Sequence, residues 1–252
     1  MGWADIENFV QSNDPSVLAS ARGVEENDLA AFEQSVSIPA GYREFLQRCG
    51  GDAGTLHPLG PKWNAGFYRL AVVPPEDEFL ENGLLRIGMH DDSSSITAND
   101  IYLDLSTSDG DDAMLVEHES DMPYAAETVE PRGISFLDQV AIQAFQLLQL
   151  EPLEHEAELI SSGAETPTQQ EVLVSIRDVL RRRGLREILV PSDRVVALAS
   201  DDAAVLIEAE NDDPFVLLDV RGRDQKSLGN LVELLLDNVA SLSRADSPQA
   251  FE

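Results

Sequence analysis

Apolar residues recur at three-to-four spacing in several segments of this chain, which places them on single helix faces. Leu29, Phe32 and Val36 form one such set; Tyr42, Phe45, Leu46 and Cys49 form the next. Asn27 or Asp28 can cap the first helix, because a short side-chain oxygen accepts a free N–H of the first turn. Pro39 separates the two helices, since it lacks an N–H and pushes Ile38 toward an extended backbone. Gly50 and Gly51 then permit the left-handed turn that commonly follows a helix end. Residues 29–51 therefore predict two packed helices, with Phe32, Phe45 and Leu46 in the core. An opening helix over 4–11 and a short one over 17–21 precede them.

Beyond residue 54 the pattern changes. Residues 54–69 are rich in Gly, Pro and aromatics and read as loop and short strand. The runs LLRIGM (84–89), IYLDL (101–105) and AMLVEH (113–118) predict strands. SFLDQVAIQAFQLLQL (135–150) predicts an apolar-faced helix with Ser135 as cap and Asp138 in its first turn. Polarity then rises, and Ser161-Ser162-Gly163 and Thr166-Pro167 mark a linker. A helix over 169–183, stopped by Gly184, is followed by three β-like runs, RVVALA (194–199), AAVLIEA (203–209) and FVLLDV (215–220), and a closing helix over 228–242. The layout that follows is a first domain over 1–155, a linker over 156–167, a small α-β-β-β-α domain over 168–242 and a disordered tail over 243–252.

Charge adds a direction to this picture. The formal net charge is −30, which opposes binding to nucleic acid or anionic membrane and favours a basic protein partner. No Lys or Arg occurs between Arg86 and Arg132, whereas twelve acids lie from Asp91 to Glu130. Asp91, Asp92, Asp109, Asp111, Asp112, Glu117, Glu119 and Asp121 cluster beside the predicted strands and form the candidate docking face. Arg181-Arg182-Arg183, near the end of a predicted helix, offset its macrodipole.

Catalytic and metal-binding patterns do not compete with this reading. The four histidines are far apart and none has HExxH spacing. DLSTSDGDD (104–112) differs from a calcium loop, for its glycine falls one place late and position twelve is Leu115 rather than Glu. P-loop, GxGxxG and GxSxG patterns do not occur. No cofactor is expected, and the chain reads as a non-enzyme. Cys49 is the only cysteine, so no intrachain disulfide can form. The first ten residues lack the basic and apolar regions of a signal peptide, and the expectation is a soluble cytoplasmic protein.

The order of short words resembles the SUKH superfamily, which includes the yeast cell-wall-synthesis regulator family. The words are Phe32-Glu33, Ile38-Pro39, Tyr42-Arg43-Glu44-Phe45-Leu46, Gly50-Gly51, Arg86-Ile87-Gly88, the strands at 101–105 and 115–118, and Ser135-Phe136-Leu137. The match covers about residues 25–150, and Cys49 stands where such proteins often have Asn. The resemblance implies an α+β domain, a mainly antiparallel sheet flanked by helices, that acts by binding. It further implies a bacterial immunity protein that neutralises a polymorphic toxin of the nuclease or deaminase class. The alternative is a regulatory scaffold or chaperone-like adaptor whose second domain holds a client.

Overall fold

The computed structural model describes residues 2–72, 77–90, 98–120, 122–161, 168–189, 192, 194–209 and 215–245. The chain is mixed α+β with antiparallel sheets, and it divides into two compact units, Met1–Ala144 and Phe145–Glu252.

The first unit opens with α1 (Trp3–Asn13), which buries Trp3, Ile6, Phe9 and Val10 at helical spacing. The expected short helix over 17–21 is instead a series of turns around the buried Val17. α2 (Glu26–Phe32) begins before the expected Asn27 or Asp28 cap, and α3 (Ala40–Cys49) starts directly after Pro39. Trp3, Phe45 and Phe136 form an edge-to-face chain of rings, with centroids 5.3 Å apart at each step. This ring geometry adds directional stabilisation to the burial of three large side chains.

Gly50 and Gly51 do not make the expected left-handed turn. Gly50 has φ −67°, and neither residue is among the positive-φ glycines. Glycine is required at 51 for close approach: a Cβ there would lie 2.8 Å from the Gly23 carbonyl oxygen and 3.0 Å from that of Arg22. The Gly51 N–H donates to the Arg22 carbonyl at 2.8 Å, tying the end of α3 to the strand-like step before α2.

β1 (Trp63–Asn64), α4 (Phe67–Val72), α5 (Asp77–Glu81), β2 (Leu84–His90), β3 (Asn99–Asp104), β4 (Met114–Glu119) and β5 (Glu130–Ser135) follow, then α6 (Phe136–Phe145). The strands form an antiparallel meander in the order β1-β2-β3-β4-β5. Asn99, Ile101 and Leu103 alternate with Asp100, Tyr102 and Asp104, so the two sets face opposite sides. Ile101 and Leu103 are fully buried. On the other face Phe79, Leu84, Tyr102 and Val116 make a small satellite cluster with Tyr124 and Val129 packed against it.

The second unit begins with a π-turn at Gln146–Leu150 and continues with β6 (His155–Ser161), α7 (Gln169–Arg183), β7 (Arg186–Leu189), β8 (Val195–Ala199), β9 (Ala203–Ala209), β10 (Val216–Gly222), α8 (Gln225–Asn238) and β11 (Leu242–Arg244). Its sheet runs β11-β6-β10-β9-β8-β7. α7 and α8 supply Ile176, Leu180, Leu231 and Leu235 to a core shared with Val205, Ile207, Leu218 and Val220. A Thr168–Glu171 capping box starts α7, and Gly184, at φ 100°, ends it in the left-handed region that suits glycine.

Three expectations are corrected here. The linker expected over 156–167 contains β6, a strand hydrogen-bonded on both sides, and residues 162–167 lie outside the described residues. The expected α-β-β-β-α unit has six strands rather than three. The tail expected from 243 onward begins as β11, which pairs Leu242 with Ser161 and Arg244 with Leu159. β6 escapes notice because its outward positions include Glu156 and Glu158, and its only deeply buried residues are Leu159 and Ser161.

Candidate functional site

The acidic stretch divides between the two ends of β4. Asp109, Asp111 and Asp112 lie in the β3–β4 turn, whereas Glu117 and Glu119 lie toward the far end of the strand. A six-residue strand separates its ends by about 17 Å at the usual rise per residue. Asp91, Asp92 and Asp121 lie outside the described residues.

The turn residues do structural work through specific atoms. The Gly110 and Asp111 carbonyls accept the N–H groups of Ala40 and Gly41, at 2.9 and 2.8 Å, and so satisfy the first turn of α3. The Asp112 carboxylate accepts the Leu137 N–H at 3.2 Å and the Ala113 N–H at 2.9 Å, which caps α6. One four-residue turn thereby terminates two helices. Gly41 has to be small here, since a Cβ would sit 2.8 Å from a Leu137 methyl and 2.9 Å from the Asp111 carbonyl oxygen.

These contacts set the electrostatics. Asp109 Oδ1 accepts the N–H groups of Asp112 and Asp111, both at 2.9 Å, and these bonds hold its carboxyl below the ordinary value. Burial pushes Asp112 the other way, upward, against the lowering effect of its hydrogen bonds to Ser135, Ala113 and Leu137. Asp109 and Asp111 are exposed, and Asp112 is half-buried. Asp109 and Asp111 thus present carboxylates to solvent on a turn fixed at four backbone positions.

Glu117 is different. Its carboxylate pairs with Arg132 at 3.1 Å and accepts a hydrogen bond from the Asn99 side chain at 3.0 Å. Arg132 in turn lies over the Trp63 ring, 5.2 Å from its centroid, while the Trp63 indole N–H donates to the Asn99 carbonyl at 2.9 Å. The Trp63 ring also meets His90 edge-on at 5.9 Å. β1 through β5 each contribute one residue to this cluster. Glu119 is exposed.

No protein-family model matches this chain, and a search of curated proteins finds no relative.

The two arginines that bound the basic-free stretch both fold back onto acids inside it. Arg132 takes Glu117, and Arg86 takes the buried Asp100 at 3.4 Å. Asp100 also accepts the His90 N–H at 3.1 Å and the Ser120 hydroxyl at 2.8 Å. Sequence reasoning missed both pairs, although the isolation of Arg86 and Arg132 in an acidic field was a usable signal.

The remaining chemistry is modest. A cavity of about 330 Å³ is bordered by Gly51, Asp52, Gly54, His57 and Trp63, with Cys49 at its wall. Burial pushes the Cys49 thiol up to about 12, which leaves it un-ionised and a poor nucleophile at neutral pH. The buried His118 holds its Nδ1 against the Glu119 carbonyl at 2.9 Å and its Nε2 against the Thr128 hydroxyl at 2.9 Å. A carbonyl can only accept, so Nδ1 carries a proton. Among the described residues no three His, Cys, Asp or Glu side chains converge as a metal site, and no helix is long and apolar enough to cross a membrane.

Proposed function

We propose that this chain is a non-enzymatic binding protein of the immunity type, which neutralises a bacterial toxin of the nuclease or deaminase class by occluding its basic cleft. The observation that carries the reading is the exposed pair Asp109 and Asp111 on a turn held at four backbone positions, in a chain of net charge −30. Carboxylates carried on a backbone already fixed lose only side-chain freedom on docking, and a long-range negative field speeds the encounter with a basic partner. The colinear words at residues 25–150 support the immunity reading over a generic acidic protein. Glu119 extends the negative surface at the other end of β4, whereas Glu117 is engaged by Arg132.

The test is co-expression with the product of the adjacent reading frame, where that frame encodes a nuclease- or deaminase-type toxin, read as growth rescue and followed by association kinetics at low salt. Asp111→Lys with Glu119→Lys is the informative variant, because it leaves the Asp112 cap intact. Slower association with unchanged thermal stability is the expected result. Full rescue and unchanged kinetics in that variant refute the docking face, and failure of the wild-type chain to rescue refutes the immunity reading.

A further inference from the structure

The second unit carries two exposed patches of opposite character toward opposite edges of its sheet. The first surrounds β7, the edge strand that pairs only with β8. There α7 ends in Arg181-Arg182-Arg183 and β7 opens with Arg186, all exposed, and Ile188 is 39% exposed. Glu187 takes Arg177 and Arg181, each at 2.8 Å, and Arg182 donates to the Asp178 carbonyl at 3.1 Å. Among the described residues Arg183 and Arg186 have no acidic partner, in a chain with 47 acids and 17 bases. The helix dipole accounts for some cation at this terminus. It does not account for Arg186 and Ile188 on the strand beyond.

The second patch lies on β10 and β6. Phe215 and Leu217 are each 42% exposed, and Leu217 pairs with Ile160 across the ladder. Strand alternation puts Glu156 and Glu158 on that same face, both exposed. Arg221 is taken up by Glu156 at 2.8 Å and Asp219 at 3.1 Å, which leaves Glu158 without a cation among the described residues. The surface is apolar at Phe215 and Leu217 and negative beside them.

We propose that these patches are the two halves of one self-association contact: the arginine edge around β7 of one copy docks on the Leu217 face of the next. Each half supplies what the other lacks. Guanidinium groups meet the β6 carboxylates, and Ile188 meets Leu217 and Phe215, with the arginine stems covering apolar surface. Because the patches lie toward opposite edges of one sheet, the contact is heterologous, so copies add head to tail rather than closing as a two-fold dimer. This inference is independent of the toxin-binding reading.

Sedimentation of the full chain over rising concentration, at about 0.15 M salt where screening acts within about 8 Å, tests it. The wild-type weight-average mass rises beyond that of a dimer. Arg182→Glu/Arg183→Glu/Arg186→Glu and Leu217→Glu each remain monomeric over the same range. Mixed in equal amounts, these two variants form a dimer and stop there, because each retains one intact half. Arg186→Gln and Leu217→Ser weaken association in the same direction, with melting curves showing the fold intact. A wild-type chain that stays monomeric, variants that associate like it, or a mixture that stays monomeric overturns the proposal.

Discussion

The Asp112 carboxylate receives the Leu137 N–H at 3.2 Å, so a residue of the β3–β4 turn closes the first turn of α6. Loss of such a cap costs about 1 kcal/mol. Asp112→Ala therefore lowers stability in urea denaturation by about that amount. Asp111→Ala, whose contribution to the turn runs through its main-chain carbonyl, stays within about 0.5 kcal/mol of wild type. Equal losses in the two variants would contradict the assignment of roles within the turn.

Gly23 sits where a Cβ would lie 1.8 Å from the Gln47 carbonyl oxygen, with backbone rather than a flexible side chain in the way. Gly23→Ala must push apart α3 and the step that binds it. Overpacking of this kind costs about 3 kcal/mol. Gly2→Ala, with open space around its Cβ, serves as the control, and thermal melting distinguishes the two.

Glu187 is held below its ordinary value of 4.5 by its hydrogen bond to Arg177, with a further contribution from Arg181. A carboxylate depressed in the folded state adds stability above its unfolded value and loses it as pH falls through the folded one. Wild type should exceed Glu187→Gln by about 1 kcal/mol at neutral pH. The difference should shrink as the pH is lowered below 4.5. A gap that is constant with pH would show that charge plays no part.

Glu117 and Arg132 are both mostly buried, at 23% and 19% side-chain exposure, which separates this pair from surface ion pairs of negligible effect. A double-mutant cycle with Glu117→Gln and Arg132→Ala should return a coupling of about 1 kcal/mol. Tryptophan fluorescence provides an independent readout, since Arg132→Ala uncovers the Trp63 ring. Additive single losses would mean the two side chains act separately.

α3 was legible because proline and apolar spacing act locally, and it starts directly after Pro39; α2 ends at Phe32, so Val36, expected on its apolar face, is buried outside the helix. β8 and β9 were legible for a different reason: Val195–Ala199 is buried at every position, so its sequence is uninterrupted and apolar. β6 and β7 carry acids or arginines at their outward positions, and two-residue β1 is too short to show a period. The acidic residues were visible as a list, but their roles were not. Asp112 and Asp111 are neighbours that cap different helices, one through its carboxylate and the other through its carbonyl. The Arg86–Asp100 pair depends on cross-strand register, which shifts between Arg86 and Gly88 through an irregularity that no local pattern announces.

The place of β6 in the second sheet has a consequence for how this chain is made. Ser161 pairs with Leu242, and Ile160 with Leu217, so an early strand waits for partners from the far end of its unit. Ladders of such long sequence separation form late and slowly. On the ribosome β7 to β10 can zip as a local meander, whereas the other edge of β10 takes β6, a strand from the start of the unit. β6 itself stays open on its other side until Arg244 has emerged. Synthesis of β11 therefore covers the end of β6 and moves the sheet edge to a three-residue strand, and a chain shortened before it would leave the longer β6 edge exposed to other nascent chains.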